Sequence, residues 1–275
     1  MFRLFRVFRT LSFGWRARAP YSCRIILTMK STAPAIILLG IFLPVFSLSG
    51  KTAFSLLAYQ RARVTARADL LNSKLKARNG KLDGSGVVVW LEAPGLSARP
   101  NRPRQKLDQR GKRFIPHVMV VEKGSDVDFP NSDPYFHNVF SLFNGKRFDL
   151  GLYASGESRP VLFNRVGVSY IFCNIHPSMS AIILALDTPY YAMSNQSGEV
   201  TIYDVPEGSY QFKVWHERST PQELEKQTRT IQVPAVGAID LGVLRINEAG
   251  FIPQPHPNKH GHAYDNERNK PAYKK

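Results

Sequence analysis

In the stretch Cys173-Asn174-Ile175-His176-Pro177-Ser178-Met179 a thiol, an imidazole and a thioether recur at intervals of three residues. Each is a soft or borderline metal ligand. Copper that cycles between its two oxidation states needs a site that neither state prefers outright: thiolate and thioether suit the reduced ion, and imidazole is acceptable to both. Two His and one Cys in a plane, with a weak axial Met, form the signature of an electron-transfer copper centre. The loop supplies all but one of those groups, so a second histidine must come from elsewhere. His137 is the natural candidate, because in Phe129 to Leu142 (FPNSDPYFHNVFSL) a turn delivers it to the start of a strand.

Taken singly, each of these residues has a simpler role. A buried Cys is a small hydrophobe, a Met fills core gaps and a His is commonly a satisfied structural residue. At this spacing, in a β-rich segment with no second cysteine nearby, the set points to copper. His117 and His216 read as structural. His256, His260 and His262 share a polar tail, where they read as solvated or as loose captors of metal.

Cysteine usage depends on where the chain is located. Ala33 to Ser49 (APAIILLGIFLPVFSLS) is an apolar run of 17 residues that follows Met29-Lys30 and ends in small residues, as an export signal does. It is short for a membrane span, which needs about 20 residues. The run therefore reads as a signal peptide or an uncleaved anchor, and either way the remainder is exported to a periplasmic or other extracytoplasmic space. Cys23 precedes the run, so the exported part holds Cys173 alone. A single thiol in an oxidising compartment needs protection or use, and metal ligation provides both.

The formal charge of +16 suggests a nucleic-acid partner until it is divided by segment. Residues 1–49 hold seven Lys or Arg and no acid, and residues 50–113 hold fifteen against four. Residues 114–187 carry five basic and seven acidic side chains, and residues 188–248 carry five and eight. The part that reads as folded is mildly acidic and has no nucleic-acid reading motif, so nucleic acid is excluded as the partner.

Along the chain, residues 1–49 form the leader and 50–83 a basic spacer with helical character. Residues 84–187 read as the copper-site domain, 188–248 as a second β domain and 249–275 as a disordered tail. Strands are predicted at 86–92, 117–122, 126–129, 137–142, 159–163, 168–173 and 181–187, then at 199–205, 208–216, 228–233 and 242–246. The fold class is all-β. Strand 86–92 could also join the second domain, which would make the copper-site domain an insertion.

From Phe114 to Asp187 the chain resembles the cupredoxin family, the small blue copper proteins such as plastocyanin and amicyanin. The likeness rests on Phe114 with Pro116, the Val-x-x-Gly-x-x-Val-x-Phe-x-Asn run from Val121 to Asn131, His137-Asn138-Val139 and the Cys-x-x-His-x-x-Met loop. It implies a Greek-key β-sandwich with one mononuclear type 1 copper. His137, Cys173 and His176 would be the equatorial ligands and Met179 the axial one. Asn138 would tie the two ligand loops together near the sulfur. His176, near the surface in an apolar patch, would be the electron port.

The stretch Ser197 to Glu217 (SGEVTIYDVPEGSYQFKVWHE) resembles the carboxypeptidase regulatory-like domain, a small β-sandwich that positions other proteins and carries no chemistry. Asn174 stands where multicopper oxidases and copper nitrite reductases have a histidine that passes electrons to a second copper. A binuclear site would need another cysteine, and zinc gains little from a thioether. No paired-carboxylate, nucleophile-elbow or phosphate-loop motif is present. The sequence therefore reads as an exported electron carrier rather than an enzyme, working between a redox protein donor and acceptor. The competing reading is a copper-delivery or scaffold module without a physiological redox role.

Overall fold

The computed structural model describes residues 61–74, 80, 82–100, 103–142, 144–249 and 257–262. The apolar run 33–49, Cys23 and His256 lie outside them. No helix among the described residues is long and apolar enough to cross a membrane.

The chain opens with β1 (Ala62–Leu71) and β2 (Val88–Glu92). It continues through β3 (Gln105–Lys106), β4 (Asp108–Gln109), β5 (Phe114–Ile115), β6 (Val118–Glu122) and β7 (Ser125–Pro130). Next come β8 (His137–Ser141), β9 (Phe148–Tyr153), β10 (Ser158–Phe163), β11 (Gly167–Phe172) and β12 (Ser180–Leu186). It closes with β13 (Tyr191–Met193), β14 (Glu199–Val205), β15 (Gly208–Trp215), the short helix α1 (Pro221–Glu225), β16 (Arg229–Val233) and β17 (Ala238–Asn247). The molecule is all-β, as the alternation of β-branched and turn residues implies.

Strands β3 to β12 build one sandwich. A sheet ordered β6-β12-β11-β8-β9 faces a sheet ordered β10-β7-β3. Between them lies a core that includes Val121, Phe129, Val139, Phe163, Ile171 and Ile183, together with Cys173 and Met179. Strand β9 has no counterpart in the sequence reading, because FDLGLY offers an interrupted alternation with Gly151 at positive φ.

The second sandwich departs from the sequence reading in two places. The segment expected to be a helical spacer contains β1, at the centre of a sheet ordered β14-β1-β17. Its ARVTARADLL alternates buried and exposed residues along its whole length, a period of two that small Ala residues make hard to recognise. Strand β2, placed above in the copper-site domain with the second domain as its alternative, follows the alternative: it pairs with β15 and β13 in a sheet ordered β13-β2-β15-β16. Strands from both sides of β3–β12 therefore share one core, with Val64, Leu91, Ile202, Phe212, Ile231 and Leu244 in it.

The outer face of β12 explains why AIILAL is buried at every position. One face looks into the first sandwich, while Ile182, Leu184 and Leu186 pack with Val120 against Val88, Trp90, Tyr191 and Trp215 of the second. A strand covered on both faces loses its polar alternation.

A polar link joins the sandwiches beside this apolar contact. His117 has both ring nitrogens on acceptors, the Ser180 carbonyl at 3.1 Å and Glu217 Oε2 at 2.9 Å, so the protonated ring is the form that satisfies both. The Glu217 bond raises His117 above its ordinary 6.5 in spite of burial. Burial pushes Glu217 up, but the bond to His117 holds it below 4.5. A raised His contributes fully below pH 6.5 and is lost as pH climbs through its raised value, whereas a lowered Glu contributes fully above pH 4.5 and is lost as pH falls. The stability difference between the natural protein and His117→Gln, measured by urea unfolding across pH, should therefore be greatest between pH 4.5 and 6.5 and shrink on either side. A difference that is flat with pH would contradict this.

Candidate metal centre

The site forms at one end of the five-stranded sheet. His137 is the first residue of β8, Cys173 directly follows β11 and Met179 directly precedes β12. Strands β8 and β11 are neighbours, as are β11 and β12, so sheet pairing alone brings the ends of these segments together. Two main-chain hydrogen bonds close the loop: Cys173 N–H to the Met179 carbonyl at 3.3 Å, and Met179 N–H to the His176 carbonyl at 2.9 Å.

Two imidazole nitrogens converge on the sulfur. His137 Nδ1 lies 3.7 Å and His176 Nδ1 3.6 Å from Cys173 Sγ. Among the described residues this is the one group of three such side chains whose ligand atoms all lie within 4.8 Å of one another. Bonds of about 2.3 Å to sulfur and about 2.0 Å to nitrogen, opening at a tetrahedral to trigonal angle, would set sulfur and nitrogen about 3.5–3.8 Å apart. The residues present therefore fit a shared metal ion. Met179 is wholly buried in the same core as Cys173.

Burial separates the two histidines. His137 is fully enclosed, while His176 is half-buried beside exposed Pro177 and Ser178. Tyr135 and Phe136, just before His137, are 50% and 45% exposed and add apolar surface.

The electrostatics favour a thiolate. Burial pushes the Cys173 thiol up, but His137, His176 and the main-chain N–H groups of Asn138 and Ile175 outweigh it and bring it to about 6. Burial lowers His137, and its bonds to Cys173 and Asp133 more than reverse that. Ligand atoms that already share a proton can release it when a metal ion takes its place.

Asp133 is the residue that sequence reasoning missed. Its Oδ2 lies 2.9 Å from His137 Nε2, and a carboxylate can only accept, so the shared proton belongs to Nε2 and Nδ1 faces the sulfur. Three donors hold the carboxylate, the His137 ring and two main-chain groups. Gly111 N–H reaches Oδ1 at 2.6 Å and Lys112 N–H reaches Oδ2 at 2.8 Å. Gly111 and Lys112 form the tip between β4 and β5, both at positive φ, and that conformation turns two successive N–H groups toward one side chain. Burial raises Asp133, and these donors together pull it below the ordinary carboxylate value. The one available signal was an acid four residues before a candidate ligand in a turn.

Asn138 does part of what was expected of it, by another route. Its side chain donates to Asp149 Oδ1 on β9 at 2.7 Å, and its main-chain N–H is the group that reaches the Cys173 sulfur. The remaining histidines lie elsewhere. His117 forms the link described above, and His216 is buried with its nitrogens on Gly86 O at 3.4 Å and Glu248 Oε1 at 2.8 Å. His260 and His262 are exposed.

No protein-family model and no curated protein matches the chain. Among solved structures it is similar to a purple cupredoxin from Nitrosopumilus maritimus, at 20% identity and a TM-score of 0.28 over 30% of this chain and 99% of that one. It is similar to a copper-containing nitrite reductase from Thermus scotoductus, at 20% identity and 0.30 over 44% of this chain and 28% of that one. It is also similar to a reduced amicyanin variant, at 14% identity and 0.29 over 36% of this chain and 98% of that one. At these scores the likeness carries no argument, and any functional reading rests on the geometry of the site itself.

Asp133→Asn keeps the shape but puts an N–H where one of the three donors needs an acceptor. Thermal and denaturant unfolding of the metal-free protein should show a loss of roughly 1–3 kcal/mol. Competition against a chelator should show metal affinity reduced by about 10- to 100-fold, as loss of a carboxylate behind a ligating imidazole generally does.

Proposed function

We propose that the protein holds one copper ion in a mononuclear type 1 site and carries single electrons between redox proteins outside the cytoplasm. The observation that carries this reading is the convergence of His137 Nδ1 and His176 Nδ1 on a buried thiol that is brought to about 6. His137, Cys173, His176 and Met179 would hold the ion. Copper bound there would supply a reversible one-electron couple.

The chain's own residues do the rest. Asp133, fixed by the β4–β5 tip, holds the Nε2 proton and so fixes the His137 ring. The closed loop from Cys173 to Met179 and the sandwich core keep ligand positions nearly constant, and a rigid site lowers the reorganisation that accompanies electron transfer. Fully buried His137 excludes water from the inner side. Half-buried His176, with Tyr135, Phe136 and Pro177 around the same end, offers an apolar surface where a partner protein could dock and exchange electrons.

The second sandwich is read as a positioning module in the manner of a carboxypeptidase regulatory-like domain. Its support is the broad apolar contact through which it packs on the outer face of β12. Export, with residues 33–49 as a cleaved signal or a membrane anchor, fits a chain whose β domains contain a single cysteine.

Titration of the metal-free protein with copper should give one equivalent of binding, intense visible thiolate-to-copper absorption and a reversible one-electron wave. Cys173→Ser, checked for folding by circular dichroism, should lose the absorption completely. Copper that binds without that absorption, or that passes to an acceptor without reversible reduction, would leave delivery as the function instead.

A further inference from the structure

The C-terminal segment beyond the second sandwich returns to the metal end of the first. Residues 257–262 close into a compact turn in which Asn258 N–H bonds the His262 carbonyl at 2.7 Å. Asn258 Oδ1 accepts from the N–H groups of His260 at 2.9 Å and His262 at 3.1 Å. The turn presents Lys259 to two different pieces of the site. Its main-chain N–H donates to Asn174 Oδ1 at 2.9 Å, on the residue directly after Cys173. Its ammonium lies 3.0 Å from Asp149 Oδ2.

Asp149 is not an isolated surface acid. Its other oxygen accepts from the Asn138 side chain at 2.7 Å and from Gly151 N–H at 2.9 Å, and Asn138 follows His137 on β8. One lysine therefore spans the loop that carries Cys173 and the strand pair that carries His137. Beside the Asn138 main-chain N–H that reaches the Cys173 sulfur, a second connection between the ligand segments runs from the Asn138 side chain through Asp149 and Lys259 to Asn174.

We propose that Lys259 is a positioning residue and that the turn Pro257–His262 is a strap, clamping the Cys173–Met179 loop to the β8–β9 pair and restricting how far Cys173 and His137 can separate. The ion pair is partly exposed, at 28% and 36%, so its effect on global stability is small. Its effect is local, because it ties Asn174, in the middle of a short loop, to Asp149 on β9.

The test uses the full chain and begins without metal. Cys173 is fully buried, so a small alkylating reagent reaches it only when the loop opens. Iodoacetamide labelling, followed by mass spectrometry at the peptide containing Cys173, should be about two- to fivefold faster in Lys259→Met, as loss of one partly exposed ion pair implies. Asn174→Ala should accelerate it similarly, and Lys259→Arg, which keeps the charge, should restore the natural rate. In the copper-loaded protein, which rests on the function proposed above, Lys259→Met should lower the midpoint potential, since the lost cation leaves Asp149 to disfavour the incoming electron. Labelling at the natural rate in both Lys259→Met and Asn174→Ala overturns the strap. Failure of the natural protein to form a blue centre overturns the electron-carrier reading instead, and the labelling experiment still decides the strap.

Discussion

The whole site depends on keeping one sulfur and two imidazole nitrogens together at the edge of a core, with the sulfur and the His137 ring out of water and the His176 ring half-buried. Polar groups in such a place destabilise a core unless each has a partner. Here the partners are supplied from outside the ligand set. Asp133 takes the outer proton of His137, the Gly111–Lys112 tip takes Asp133, and main-chain N–H groups of Asn138 and Ile175 point at the sulfur. Sheet pairing brings the segments near one another, and this shell fixes their orientation. The sandwich around it, with aromatic residues such as Phe129 and Phe163 wholly buried, resists the small shifts that would let the ring of His137 turn.

How much of this could be read from the sequence varies with the distance over which each interaction acts. Cys173, His176 and Met179 are neighbours on one loop, so their spacing displays the chemistry directly. His137 was recognisable because a turn ahead of a β-branched strand marks where a side chain emerges. Asp133 was harder to find, since its partners Gly111 and Lys112 lie more than twenty residues upstream and use only their main chain. Asn138 was legible as a residue near the sulfur, but a residue type does not determine which neighbour its side chain will meet: its main-chain N–H reaches Cys173 while its side chain donates to Asp149.

The outer strands show the same limit at the level of fold. Strand β1 reads ARVTARADLL, and its Ala and Arg residues suit a helix by propensity as well as a strand by alternation. What settles the matter is β14 on one side and β17 on the other, both over a hundred residues away. Long-range pairing overrides weak local preference, and no window of ten residues contains that information.

The chain leaves the second sandwich at the end of β2 and re-enters it at β13, and these two strands are hydrogen-bonded neighbours, with Leu91 N–H on the Tyr190 carbonyl at 3.0 Å. The points of departure and return are thus almost the same point in space. To its host, the entire sandwich of β3 to β12 is topologically a long hairpin loop. Because both crossings sit on adjacent, hydrogen-bonded strands, the host sheet closes without any strand from the inserted sandwich, and the two cores remain separate apart from the apolar face of β12.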